Sequence, residues 1–299
     1  MTTAAHLEEW TGENVSLAQV EKAMAELRRE SCEDTEGPDL RTSVMTHIAW
    51  VPPEWHKAAW ATLEGMAERH PSRAIVLVPG GADDDDDLDA LVQVAAFSLP
   101  GERRHVAAEV IELRLGGRRA RSPSSIVMPL LISGLPVFCR WRGRLPFGEQ
   151  ELEELTGIAD RLVIDSREWD DPGADYARLA ELFDRVAVSD ITWRRTLPWR
   201  VALAHDWPEV GRCTELAVKG PSADAHLLAG WLRSRLDRRV RLAGEDADEV
   251  ESVAVDGREV PRPPAEPVSS SDLLSAELET FGRDRVYEEA VRSFSSPPT

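Results

Sequence analysis

Residues 72–81, SRAIVLVPGG, form an unbroken apolar run closed by turn residues. A strand with one wet face alternates apolar and polar positions. A run without alternation is buried on both faces, as in a parallel sheet covered by helices. What precedes it fits that geometry. Arg41 to Val51 (RTSVMTHIAWV) is rich in β-branched and apolar residues and ends at Pro52-Pro53, so it reads as a strand. Trp55 to His70 places Ala59, Leu63, Met66 and Ala67 on one helical face and stops before Pro71. Strand, helix and strand in this order make a βαβ unit with a right-handed crossover.

The alternation continues downstream. Val106 to Leu115 (VAAEVIELRL) reads as a strand ending at Gly116-Gly117, with Glu109, Glu112 and Arg114 as its polar positions. Glu109 and Glu112 are three apart and so fall on opposite faces, which disfavours a paired-carboxylate acid/base role; Glu112 and Arg114 share a face and can pair. Ser122 to Ile132 reads as a short helix opened by Pro123. Leu135 to Trp141 is a further strand, Glu149 to Leu155 a helix and Arg161 to Asp165 a buried strand. Beyond the acidic stretch EWDDPGAD, Tyr176 to Val186 reads as a helix, Asp190 as the cap of the next helix, and Pro198 as the point where that helix kinks or restarts. Glu215 to Lys219 is a strand, Ser222 opens a long helix, Arg239 to Leu242 and Ser252 to Val255 are short strands, and Ser271 to Phe294 is a single closing helix.

These elements predict an α/β protein in three parts. Residues 1–40 form an N-terminal helical arm and linker, in which Ser16 caps a helix to Glu30 with Gln19 at the capping-box position. Residues 41–171 form an α/β domain with a mixed or mostly parallel sheet, and residues 172–299 a smaller C-terminal α+β domain. The five aspartates Asp83 to Asp87 repel one another and read as a solvated loop.

Charge excludes some functions. Lys plus Arg number 35 against 54 Asp plus Glu, a formal charge of −19. Such a chain repels polyphosphate and anionic lipid, so neither nucleic acid nor membrane is an expected partner. No basic n-region with an apolar h-region opens the sequence, so a cytoplasmic protein is expected. Neither GxGxxG nor GxxxxGK[ST] occurs, nor GxSxG or HExxH, and no metal or cofactor is expected. Cys32, Cys139 and Cys213 are too far apart for CxxC chemistry, and Cys139, inside an apolar strand, reads as a buried filler.

Against the acidic background stand three basic clusters. The first holds Arg114, Arg118, Arg119 and Arg121. In CRWRGRLPFG, Arg140, Arg142 and Arg144 surround Trp141; in ITWRRTLPWR, Arg194, Arg195 and Arg200 lie among Trp193 and Trp199. The chain holds ten Trp beside six Phe and two Tyr. Trp and Arg are the residue types enriched at binding hot spots, and both also serve internally, Trp in cores and Arg in ion pairs. The candidate partner-binding set is Arg140, Trp141, Arg142, Trp193, Arg194, Trp199 and Arg200.

Seven stretches in order, RTSVMTHIAWVP, AERHPSRAIVLVP, AAEVIELRLGGRRA, SSIVMPLLISGLPVFCRWRG, DRLVIDSREW, FDRVAVSDITWRRTLPWR and GPSADAHLLAGWLRSRL, together resemble the OpcA family, the glucose-6-phosphate dehydrogenase assembly proteins of actinobacteria and cyanobacteria. The resemblance spans roughly residues 40 to 236. It implies an accessory protein and not a catalyst: one that binds glucose-6-phosphate dehydrogenase, promotes its active oligomer as an allosteric activator, and raises oxidative pentose phosphate flux and NADPH supply. Thioredoxin control, which belongs to the cyanobacterial branch, is not carried over, because this chain has no CxxC. The alternative is a sugar-phosphate- or nucleotide-binding α/β enzyme whose arginines hold phosphate at the carboxyl edge of a sheet.

Overall fold

The structure, a computed structural model, describes residues 4–33, 43–66, 72–81, 83–98, 105–264, 268–280 and 282–295. β1 (Ala4–Gly12) and α1 (Leu17–Glu33) come first. The strand–helix–strand unit follows as β2 (Thr46–Trp50), α2 (His56–Met66) and β3 (Arg73–Pro79), then β4 (Leu88–Ser98), β5 (His105–Leu115), α3 (Gly117–Arg121), α4 (Pro123–Val127), β6 (Val137–Trp141), α5 (Gln150–Ile158) and β7 (Arg161–Ile164). The remainder runs α6 (Pro172–Leu179), β8 (Ala187–Asp190), α7 (Ile191–Arg195), α8 (Leu197–His205), β9 (Glu215–Lys219), α9 (Ser222–Leu236), β10 (Arg241–Glu245), β11 (Ser252–Val255), β12 (Arg258–Glu259), α10 (Ser270–Leu278) and α11 (Arg285–Arg292).

Eight strands form one sheet in the order β1-β4-β5-β3-β2-β6-β7-β8, and four form a second in the order β10-β9-β11-β12. In the first, β5, β3, β2 and β6 pair parallel while β1–β4 and β4–β5 pair antiparallel. The α/β expectation with a mixed, mostly parallel sheet is met. The chain divides into two compact units, residues 1–162 with 270–275, and residues 163–269 with 276–299.

In the first unit the apolar run of β3 is buried along almost its whole length. Ala49, Val51, Ala74, Val76 and Val78 pack against Ala59 and Leu63 of α2. Trp50 and Trp141, paired across β2 and β6, stack with centroids 4.9 Å apart. Glu109 and Glu112 point to opposite faces of β5, as their spacing requires. Glu112 accepts from Trp60 Nε1 at 2.7 Å, lies 2.8 Å from His56 Nε2 and pairs with Arg114 at 3.2 Å. Glu109 accepts from Arg28 of α1, through Nε and through Nη2 at 2.7 Å, and from Arg73 Nε at 2.8 Å. Burial raises the pKa of Glu109, but the two guanidiniums overcome that and hold the carboxyl below the usual range.

Three features were not visible in the sequence or differ from its reading. β1 pairs with β4 along Ala4 to Gly12, so the first residues supply the edge strand of the sheet. The helix after it begins as expected: Ser16 N donates to Gln19 Oε1 at 2.9 Å and Ser16 Oγ to the same oxygen at 2.8 Å. The closing segment is two helices, not one, because the Asp284 carboxylate accepts from Tyr287 N at 3.0 Å and caps a new start. The aspartate loop is exposed at Asp83, Asp84, Asp85 and Asp87, yet Asp86 is tied down: its carboxylate accepts from Arg118 N and Arg118 Nε, each at 2.7 Å. That loop crosses Gly116 so closely that a Cβ there would lie 2.1 Å from Asp85 O, which explains the glycine.

Removing a buried carboxylate that neutralises two guanidiniums leaves charge stranded in the interior. Glu109→Ala is expected to cost about 3–5 kcal/mol in denaturant unfolding, with an unchanged slope. Glu64→Ala, on an exposed position of α2, is expected to cost under about 0.5 kcal/mol.

Candidate interaction site

The second unit is organised around two aspartates. Asp165 follows β7 and Asp190 ends β8. Both are buried. Arg195 holds Asp165 in a two-pronged pair, Nη1 to Oδ1 at 2.6 Å and Nη2 to Oδ2 at 2.8 Å. Thr192 Oγ1 donates to Asp165 Oδ1 at 2.7 Å. Among the described residues, no guanidinium donates to Asp190. It accepts from Ser166 Oγ at 2.7 Å, Ser166 N at 3.1 Å and Thr192 N at 2.9 Å, the last being the helix cap that the sequence predicts. Tyr176 OH donates to Ser166 Oγ at 2.7 Å and extends the network. Burial, reinforced by the neighbouring Asp165 charge, pushes Asp190 up to about 7. Behind this layer Arg167 forks onto Asp224 at 2.7 and 2.8 Å and onto Glu249 at 3.0 and 3.1 Å.

The network sets the course of α7 and α8. In α7, Trp193 Nε1 donates to Asp284 Oδ2 at 2.8 Å, and its ring lies 5.6 Å from Tyr287. Arg194 pairs with Glu277 and donates to Ala276 O at 3.1 Å. Thr196 separates the two helices, and α8 restarts at Leu197-Pro198, the restart that Pro198 predicts. Arg200 lies back over the Trp193 ring at 3.4 Å and donates to Trp193 O at 2.9 Å and Thr196 Oγ1 at 3.2 Å. Both acceptors are neutral. Burial lowers the guanidinium of Arg200 to about 10, so it keeps its charge at neutral pH. Trp193, Arg194, Leu197, Arg200, Asp284 and Tyr287 line one pocket.

The seven candidate residues therefore separate. Trp193, Arg194 and Arg200 come together. Trp199, on the opposite face of α8, is buried with Leu203, Val210, Leu216 and Val253 in the core of the second sheet. Arg140, Trp141 and Arg142 belong to the first unit. Arg140 and Trp141 are buried in β6, and the Arg140 guanidinium donates to Trp141 O. Arg142, half-buried, lies over the Trp55 ring at 4.6 Å. Cys139 is buried as expected, and burial raises its thiol to about 12, far from a reactive thiolate. Cys213 is buried too, its thiol pushed up to about 11. No cluster of metal-ligating side chains occurs among the described residues. No helix among them is long and apolar enough to cross a membrane.

The outward face of α8 carries what the sequence reading missed. Leu197 and Val201 are each 47% exposed, Ala204 is exposed, and Trp207 just beyond the helix is 66% exposed. The segment is apolar on both faces, so its periodicity alone does not say which face is buried.

Asp190 gives a pH test. Its carboxyl is raised from 3.8 to about 7 on folding, so the folded state holds a proton that the unfolded chain releases. This contribution to stability is full below about pH 4 and is lost as pH rises through about 7. Asp190→Asn is expected to flatten that fall, seen as a stability difference from wild type that changes between pH 4 and 7.5 and is constant above.

Residues 64–181 match the family model described as glucose-6-phosphate dehydrogenase subunit N-terminal domain, and residues 186–291 the one described as its C-terminal domain. Curated relatives named OxPP cycle protein OpcA include those of Nostoc punctiforme, 31% identical over 58% of this chain and 39% of the relative, and Synechocystis sp., 31% identical over 57% and 38%. That of Synechococcus elongatus is 27% identical over 57% of this chain and 41% of the relative. The chain thus spans about two fifths of the length of these relatives. With both of its halves matched in order by the paired domain models, the chain belongs to the OpcA family.

Proposed function

We propose that this protein is a non-catalytic assembly factor that binds glucose-6-phosphate dehydrogenase in the cytoplasm and favours its active oligomer, supporting the oxidative pentose phosphate pathway and NADPH supply. The observation that carries this reading is the match of both halves to models described as domains of a glucose-6-phosphate dehydrogenase subunit. The naming of the relatives for the OxPP cycle agrees with it.

Activation of this kind needs no chemistry from the activator. A protein that binds an active assembly more tightly than its inactive parts shifts the population by its differential affinity. A tenfold shift corresponds to about 1.4 kcal/mol, within the reach of one well-packed side chain at an interface. In the candidate set, the buried Trp141, Arg140, Trp193 and Trp199 act as supports, while Arg142, Arg194 and Arg200 keep solvent-accessible atoms for a partner. Arg142 and Arg200 each rest on a Trp face, which fixes the height of the guanidinium.

The test is to mix the purified chain with the dehydrogenase of its host and follow specific activity and particle size together. The expected result is a larger species and higher dehydrogenase activity, with no turnover of glucose 6-phosphate or NADP by the chain alone. Arg200→Ala is expected to weaken the complex about tenfold. A dehydrogenase indifferent to the chain in both size and rate, or turnover by the chain alone, overturns the reading.

A further inference from the structure

The hydroxyl chain that ends on Asp190 has two possible directions. As placed, Tyr176 OH donates to Ser166 Oγ at 2.7 Å, and Ser166 Oγ donates to Asp190 Oδ2 at 2.7 Å. The chain then runs inward and closes on a carboxylate. Tyr176 OH also lies 3.4 Å from Ala223 O, in the first turn of α9. A hydroxyl carries one rotatable hydrogen and two acceptor lone pairs, so the same oxygens serve a chain running outward. In that chain a protonated Asp190 donates from Oδ2 to Ser166 Oγ, Ser166 donates to Tyr176, and Tyr176 donates to Ala223 O. No donor of the chain is stranded in either direction. The other carboxyl oxygen keeps its role throughout: Asp190 Oδ1 accepts from Ser166 N at 3.1 Å and Thr192 N at 2.9 Å, so the cap of α7 persists.

Charge gives the reason for a proton at this place. Three carboxylates of the network are buried, Asp165, Asp190 and Asp224. Two guanidiniums serve them, Arg195 on Asp165 and Arg167 on Asp224, and Arg167 is shared with the exposed Glu249. Asp190 is the carboxylate in excess. From α11, Tyr287 OH faces its Oδ2 at 3.4 Å. Across a cavity of about 220 Å³ stand Arg194 with Glu277, Arg200 and Asp284. Asp190 lines that cavity together with the exposed Leu197, which gives solvent protons a route to the carboxyl. Burial raises both phenols well above their ordinary value, so Tyr176 and Tyr287 keep their hydrogens at neutral pH. The mobile proton is that of Asp190, whose carboxyl is brought by burial and by the Asp165 charge to about 7.

We propose that Asp190, Ser166 and Tyr176 form a proton-operated relay. When Asp190 Oδ2 takes up one proton from solvent, the chain reverses and ties α6 to the first turn of α9 through Tyr176 and Ala223. When the proton leaves, the tie is given up and Tyr176 turns back to Ser166. The relay belongs to the chain alone and is independent of what the second unit binds.

Tyr176 and Tyr287 are the two tyrosines of the chain, so carbon-13 at tyrosine Cζ gives one reporter on each side of Asp190. The experiment titrates the labelled full chain from about pH 5 to about pH 9 by NMR, for wild type, Asp190→Asn and Tyr176→Phe. In wild type both signals are expected to shift in one shared step with its midpoint at about 7. Asp190→Asn, whose amide is a permanent donor to Ser166, is expected to abolish the step. Tyr176→Phe removes the acceptor that Ser166 needs when the chain runs outward. It leaves a stranded hydroxyl in the protonated state, and the midpoint read from Tyr287 is expected to fall by about one pH unit, a roughly tenfold weaker proton affinity. If the chain runs only inward, loss of the Tyr176 donor weakens the ionised state, and the midpoint stays or rises. Flat wild-type signals, a step that survives in Asp190→Asn, or a Tyr287 midpoint unchanged or raised in Tyr176→Phe each overturns the relay. Circular dichroism checks the fold of both variants. Where a variant does not fold, wild-type amide exchange decides: corrected for intrinsic rate, exchange in the first turn of α9 is expected to be about threefold slower below the midpoint than above it, and equal rates overturn the relay.

Discussion

Two carboxylates share one buried site in the second unit, and one arginine forks onto only one of them. Asp165 has Arg195; Asp190, among the described residues, has hydroxyl and backbone donors. At low dielectric two ionised carboxylates cannot sit side by side at no cost, so Asp190 rises toward neutrality and its neighbours are restricted to groups that tolerate that state. Ser166, Thr192 and Tyr176 are such groups. Because Asp190 both ends β8 and caps α7, a local electrostatic constraint becomes a directional one: it fixes the line on which α7 leaves the sheet and hence where α8 restarts at Leu197.

This division of labour explains how one Trp- and Arg-rich segment takes on opposite tasks. In ITWRRTLPWR, Arg195 goes inward to Asp165, Arg194 pairs with Glu277, and Arg200 folds back over Trp193. Trp193 and Trp199 are both buried, one tied to Asp284 and one in the second-sheet core. An equal richness in Trp and Arg around β6 resolves the same way, with Trp141 stacked on Trp50 and Arg142 resting on Trp55. Tryptophan here is mainly a framework residue against which guanidiniums are set at a fixed height.

Much of the fold was legible because burial on both faces leaves a continuous apolar run, and β3 is such a run. The opposite faces of Glu109 and Glu112, the Glu112–Arg114 pair and the Asp190 cap were legible too, since each follows from the two-residue period of a strand or the chemistry of a helix start. β1 was not, because an edge strand holding Glu8, Glu9 and Thr11 resembles a polar lead-in until β4 is beside it. The break between α10 and α11 was hidden because apolar residues continue on both sides of Gly282 and Asp284, and the capping bond marks the new start. In ITWRRTLPWR and the helix that follows, residue type does not say which face is covered: Trp199 and Leu203 sit at the same i, i+4 spacing as Leu197 and Val201. Which pair is covered depends on a second sheet made of residues far along the chain.

On the proposed reading, a contact surface that is already ordered loses least of its binding preference to its own rearrangement. The α7–α8 corner meets that condition by construction. Its inward face is packed, its start is capped by a buried carboxylate, Arg200 is laid on the Trp193 ring, and its exposed tryptophan rests on a glycine. Each of these removes freedom before any partner arrives, so little ordering remains to be done on contact. The same corner is linked through Asp190 to a group that titrates near 7, so protonation and the placement of α7 are two aspects of one buried site. Rigidity at the surface and a finely balanced charge beneath it are therefore properties of the same few residues.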